Sequence, residues 1–182
     1  MAKLKGALSM RHLCLLTGIL LTQFVFASGS CEKKLSAEEL NQQINDQAKV
    51  SYTKLIANIH PADTSPGVIV ASPSRSNPDY FYDWVRDSMM VWKTLFQISD
   101  QNSALRGLGV DAQWLDQIRS HAQDMVRAAH RMQRNGAGEP KHRVDLSKYD
   151  EPWGRPQNDG PGLRMQVMIE LVERDWLDAE TK

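Results

Sequence analysis

The chain has 182 residues, 41% of them hydrophobic and 24% charged, which fits one globular domain of ordinary size. Lys and Arg together number 22, as do Asp and Glu, so the formal net charge is zero. That balance excludes the basic footprint of a nucleic-acid binder and gives no reason to expect anionic membrane lipids as partners.

The N-terminus reads as a targeting segment. Lys3, Lys5, Arg11 and His12 form a basic start, and Leu13 to Phe26 is almost wholly apolar. The run is short of the roughly 20 residues of a membrane span and has signal-peptide proportions. Small residues at Val25-Phe26-Ala27 and Ala27-Ser28-Gly29 suit signal peptidase. Residues 1–30 are therefore assigned as a signal peptide, with export to the periplasm or medium, and 31–182 as the remaining domain. Removal of Cys14 leaves Cys31 as the one thiol, so no internal disulfide is expected. Cys31 just after the small residues raises a lipid anchor as an alternative. Ser28 occupies the place where a lipoprotein signal has Leu, which favours an ordinary terminal residue. The five histidines are scattered without metal-ligand spacing, so neither metal nor cofactor is implied.

Four helices follow in order. Ser36 and Glu39 make a capping box ahead of Leu40, Ile44, Ala48, Tyr52, Leu55, Ile56 and Ile59, which predicts a helix over 36–59 closed by Pro61. Residues 62–78 form a loop, with Val68-Ile69-Val70 as a short buried strand. The second helix is expected over 84–99, buried on several sides through Met89, Met90, Trp92, Leu95, Phe96 and Ile98. The third, 112–134, is the clearest: Leu115, Ile118, Ala122, Met125, Ala129 and Met132 step by three and four, and Asn135-Gly136 stops it. A long loop leads to the fourth, 160–175, capped by Asp159 and carrying Met165, Met168, Ile169 and Val172 as its apolar stripe. The fold class is all-α.

Two loop-to-helix junctions concentrate aromatic and charged residues. The first runs from Ser76 to Ser88 and sets Tyr80, Phe81, Tyr82 and Trp84 beside Asp79, Asp83, Arg86 and Asp87. The second holds Gly138-Glu-Pro-Lys141 and Val144-Asp145, then Trp153 near Arg155, Gln157, Asn158 and Asp159. These side chains suit a sugar. Flat rings pack on its C–H faces, carboxylates accept from hydroxyls, and guanidinium forks donate to them. The same residues fit equally well a helix N-terminus with buried aromatics and satisfied ion pairs.

The order of the residues separates the two readings. Val68 to Ser88 resembles the first signature region of the glucoamylases, glycoside hydrolase family 15. Gly138 to Lys141 with Val144-Asp145, then Trp153-Gly-Arg-Pro-Gln-Asn-Asp-Gly-Pro161 and Leu163-Arg164, resembles the second. Gly162 stands where the family commonly has Ala, a small departure. The resemblance implies a partial (α/α)6 barrel, about four of twelve helices, which would leave apolar faces uncovered. It implies an enzyme that releases glucose from the non-reducing ends of α-1,4-glucans with inversion. Tyr80 and Trp84 match aromatics lining the glucose subsite at the cleaved bond. Arg86 and Asp87 match the pair that grips the terminal glucose. Trp153 matches the aromatic that closes over substrate, Arg155 and Asp159 match polar residues of the same loop, and Lys141 is a subsite neighbour. The family's two catalytic carboxylates lie in segments expected beyond Lys182, so the 182-residue chain alone is expected to be inactive and no residue here is assigned as catalyst. Asp83 is read as a local cap or solvated carboxylate. Trehalose or α-1,6-glucan are alternative substrates within the family, and a truncated, non-catalytic sugar-binding or helical interaction module is the alternative outside catalysis.

Overall fold

The structure, a computed structural model, describes residues 34–100, 112–152 and 157–181. Its elements are α1 (Ala37–Ile56), β1 (Asp83–Trp84), α2 (Val85–Ser99), α3 (Ala112–Gln133), β2 (Lys141–His142) and α4 (Asp159–Glu173). The four helices match the expected ones within two or three residues at their ends. The chain divides into two compact units, Met1–Asn41 and Gln42–Lys182, with the boundary inside α1. In the first, the capping box forms as expected: the Ser36 N–H donates to Glu39 Oε2 at 2.9 Å and the Glu39 N–H to Ser36 Oγ at 3.1 Å. The predicted signal segment and Cys31 lie outside the described residues.

In the second unit the core forms around α2. Trp92, Leu95, Phe96 and Ile98 are buried with Ile118, Ala122, Met125 and Ala129 of α3 and Val167 and Leu171 of α4. Helices α2 and α4 run parallel. Arg86 meets Asp159, Lys93 meets Gln166, and Ser99 meets Arg174, so successive contacts climb both helices in the same direction. At their N-terminal ends a Cβ added at Gly160 would come 3.1 Å from Val85 Cγ1, so the small residue permits this approach.

Val68, Ile69 and Val70 are buried as expected, but as isolated bridges rather than a continuous strand: Ile59 pairs with Ile69, and Val70 with Asp83. Gly67 leads into this run at φ +85°, and a Cβ there would sit 2.2 Å from the Asp124 carbonyl oxygen of α3. Only a residue without a side chain can pass.

Two expectations on helix faces are corrected. Met90 on α2 is exposed. On α4 the predicted stripe points outward: Met165, Ile169 and Val172 are 61%, 50% and 54% exposed, with Met168 partly buried. Its buried face is Gly160, Arg164, Val167 and Leu171. Apolar side chains lie on both sides of α4, and the charge of Arg164 disguises the inward side. Helix α1 also leaves Ile44 and Val50 exposed. Uncovered apolar faces are what a partial barrel was expected to leave.

Candidate functional site

The two signature regions meet through a very short ribbon. β1 and β2 pair antiparallel, Asp83 opposite His142 and Trp84 opposite Lys141. The Val85 N–H donates to the Pro140 carbonyl at 3.0 Å and extends the link into the first turn of α2. On the other side of β1, the Ala71 N–H donates to the Tyr82 carbonyl at 3.1 Å. The loop before β1 is tied by its own polar groups. Ser74 Oγ reaches the Ser76 and Pro78 carbonyls, and Asp79 Oδ1 accepts the Phe81 N–H at 2.9 Å. This loop presents Tyr80 to solvent, 44% exposed, with its ring 6.3 Å from that of Trp84 at 67°.

Beside these rings lies Lys141, only 5% exposed. Its Nζ sits 3.8 Å from the ring centroids of both Tyr82 and Tyr149 and 5.2 Å from that of Trp84. The ammonium is held by three aromatic quadrupoles, which offset part of its desolvation. Tyr82 and Tyr149 also contact each other edge to face at 5.2 Å. Burial, then the nearby charge of Asp79, push the Tyr82 phenol up, which keeps it protonated as a donor.

At the N-terminal ends of α2 and α4, Arg86 Nη1 lies 3.1 Å from Asp159 Oδ2, both side chains roughly half exposed. Such an exposed pair contributes at most about 1 kcal/mol. Its consequence is geometric, since it ties the starts of two parallel helices together. Asp87 is exposed in the first turn of α2, and its carboxylate makes no hydrogen bond or ion pair among the described residues. Both Asp87 and Asp159 sit where the helix dipole favours negative charge.

Beneath this exposed layer is a buried polar one. Asp83, His142 and Arg164 are 1%, 0% and 4% exposed. Asp83 is thus neither a solvated carboxylate nor a side-chain cap, since the residue flanking α2 is Trp84 and makes no side-chain cap bond. Instead Asp83 Oδ2 accepts the Ile69 N–H at 3.1 Å, and Oδ1 accepts from Ser88 Oγ at 2.9 Å. Burial raises its pKa from 3.8 to about 6, against those hydrogen bonds and the charge of Arg164. No ion pair closes between Asp83 and Arg164. His142 is pushed down from 6.5 to about 4, first by burial and then by Arg164, against the Met132 backbone and the charge of Glu139, so its ring is neutral in the fold. Neither ring nitrogen of His142, nor Arg164 Nε, has a well-formed hydrogen bond.

Of the residues expected from sequence, Tyr80, Trp84, Arg86, Asp87, Lys141 and Asp159 come to one end of α2 and α4. Trp153 and Arg155 lie outside the described residues. Tyr149, His142 and Arg164 were not anticipated. Tyr149 sits in a loop with no periodicity, and the other two look like surface residues until their burial is known. Among the described residues, no group of three or more His, Cys, Asp or Glu side chains converges as a metal site, and no helix is long and apolar enough to cross a membrane.

Residues 47–182 match the family model of glycosyl hydrolases family 15. The chain belongs to this family. Among family 15 relatives, the intracellular sporulation-specific glucoamylase of Saccharomyces cerevisiae is 34% identical over 143 residues, covering 74% of this chain and 25% of that protein. A probable glucoamylase of Schizosaccharomyces pombe is 33% identical over 164 residues, covering 87% and 35%. The solved structure of a glucoamylase from Saccharomycopsis fibuligera superposes with a TM-score of 0.59 at 32% identity, covering 72% of this chain and 29% of the other. The chain therefore spans about a quarter to a third of these relatives. Its four described helices form part of the (α/α)6 barrel expected from the sequence.

Proposed function

We propose that the exposed layer at the N-terminal ends of α2 and α4 is the glucose-recognising part of an α-glucan hydrolase acting on non-reducing α-1,4 ends. The observation that carries this reading is the juxtaposition of aromatic faces with a donor–acceptor pair. Tyr80 and Trp84 stand in contact next to Lys141, on the same short segment as Arg86 and Asp87. A glucose ring offers C–H faces to the rings and hydroxyls to the guanidinium and carboxylates. Arg155 and Trp153 complete the set by family resemblance.

Inverting hydrolysis needs one carboxylic acid at the leaving oxygen and one carboxylate to activate water across the ring. Asp83, though its pKa is raised, is sealed beneath the site and cannot reach a glycosidic oxygen. Asp87 and Asp159 are assigned to binding. The catalytic pair is assigned to parts of the enzyme outside this chain. Residues 1–30 are assigned to export and 31–182 to the enzyme proper. One relative is named intracellular, so the export assignment rests on the basic and apolar start alone. N-terminal sequencing of exported protein should begin between Ser28 and Cys31; an intact Met1 would remove it.

In an enzyme carrying this segment together with the catalytic pair, Arg86→Ala and Asp87→Ala should each lower maltose hydrolysis. Loss of a charge-assisted hydrogen bond, about 1.5–3 kcal/mol, corresponds to one to two orders of magnitude in rate when felt in the transition state. Wild-type rates in both variants would remove the binding role. The 182-residue chain by itself should bind maltose without releasing glucose.

A further inference from the structure

We propose that Asp83 and Ser88 form a positioning peg for the glucose-recognising residues, an inference that rests on the reading above. The side-chain link from residue 83 to residue 88 encloses Trp84, Val85, Arg86 and Asp87, so three of the assigned sugar contacts lie inside one closed ring of chain. The ring is fixed to three other segments. Asp83 Oδ2 takes the Ile69 N–H at 3.1 Å, and Ser88 Oγ lies 3.2 Å from the Ile69 carbonyl. The backbone of residue 83 bridges to Val70 on one side and pairs with His142 on the other. Val85, within the ring, holds the Pro140 carbonyl and packs against the position of Gly160. Asp83 touches no solvent and therefore no sugar; it acts through Trp84, Arg86 and Asp87.

The peg is satisfied whether or not Asp83 carries a proton. As a carboxylate, Asp83 accepts from both Ile69 N–H and Ser88 O–H. As the acid, its own O–H donates to Ser88 Oγ, and the Ser88 proton turns to the Ile69 carbonyl, which lies within reach. An Asn at this position reproduces the second arrangement, its amide N–H donating to Ser88 and its carbonyl oxygen accepting from Ile69. An Ala reproduces neither. The contribution is therefore that of a hydrogen-bonded shape and not of a charge. The charged and titratable groups that face it, Arg164 on α4, Asp87 on α2 and His142 on β2, leave the shape unchanged.

The experiment uses the full chain labelled with ¹⁵N-tryptophan, with the indole signal of Trp84 assigned through Trp84→Phe, and maltose affinity measured by fluorescence titration. Asp83→Asn should leave the Trp84 signal in place and maltose affinity within about threefold, a conservative rescue. Asp83→Ala and Ser88→Ala should move or broaden the Trp84 signal and weaken maltose binding about 10- to 100-fold, the range expected when contact residues are misplaced by about 1 Å. If Asp83→Ala does not fold, Ser88→Ala decides. A folded Ser88→Ala chain with an unmoved Trp84 signal and wild-type affinity overturns the peg, and so does an Asp83→Asn chain as impaired as the Ala variant. Failure of the wild-type chain to bind maltose removes the sugar reading and the peg's part in it. Maltose binding that is intact in the wild type and equally intact in Asp83→Ala removes the peg alone.

Discussion

Replacing Asp83 by Asn keeps the shape of the side chain and deletes its titration, which isolates what ionising this buried carboxyl costs. Asp83 has an ordinary value of 3.8 and is raised to about 6 in the fold, chiefly by burial. Between those two pH values the folded chain holds a proton that the unfolded chain has released. Stability from this group is fully present below pH 3.8 and is lost as pH rises through 6. A rise of that size corresponds to about 3 kcal/mol. Asp83→Asn should therefore match the wild type near pH 4 and exceed it by up to about 3 kcal/mol at pH 7. His142 has the opposite sign. Its value falls from 6.5 to about 4, so its contribution is complete above 6.5 and is lost as pH falls toward 4. In the wild type the slopes of Asp83 and His142 oppose between pH 4 and 6. Relative to the wild type, Asp83→Asn should lose stability on acidification across that range and His142→Gln should gain it, each by at most about 1.4 kcal/mol per pH unit, the linkage of one proton. Urea unfolding of the three chains at half-unit steps from pH 4 to 8 measures this. A gap between wild type and Asp83→Asn that is independent of pH, or an Asn variant less stable at pH 7, would refute the burial argument.

The remaining predictions concern packing. Gly67→Ala places a Cβ 2.2 Å from the Asp124 carbonyl oxygen at a positive φ, so backbone must move; a loss of about 3 kcal/mol or more is expected, and a midpoint unchanged in urea would contradict the close approach. Met165→Lys with Ile169→Lys, both on the exposed face of α4, should change stability by less than about 0.5 kcal/mol each while reducing self-association in sedimentation; a large loss of stability would show that face to be buried.

The legible parts of the fold were those in which one face differs chemically from the rest. In α3 the steps from Ile118 to Met132 alternate with charge, and the residues the period selects there are buried, with Trp114 and Ala128 added and Leu115 only partly buried. In α4 the same reasoning chose the outer face, because Met165, Ile169 and Val172 are as apolar as Val167 and Leu171 and the inner face carries Arg164. Periodicity measures contrast and cannot rank two apolar faces. The ribbon of Asp83–Trp84 with Lys141–His142 is two residues long on each strand, below the length at which alternation is detectable, yet its pairing joins the two signature regions. The order of aromatic and charged residues therefore marked the two signature regions, while the contact that joins them left no local pattern.

The site is built in two layers with different physical requirements. In the outer layer, Arg86 uses one of its guanidinium N–H groups on Asp159, and Asp87 makes no side-chain bond among the described residues, so donors and acceptors remain for a polyhydroxyl ligand. An exposed ion pair of this kind adds little stability and can be rearranged at low cost. Position must then come from below. There Asp83 and Ser88 are buried and hydrogen-bonded to Ile69, and Gly160 lets α4 approach Val85. Hydrogen-bonding capacity left open toward solvent favours ligand contact, whereas the same capacity left open in the interior would cost about 1–3 kcal/mol per group. On the proposed reading, burial withholds Asp83, the neighbour of Trp84 in sequence, from the sugar. On that reading, a carboxylate at this point would serve recognition by fixing its neighbours, and Asp87 alone would meet the hydroxyls.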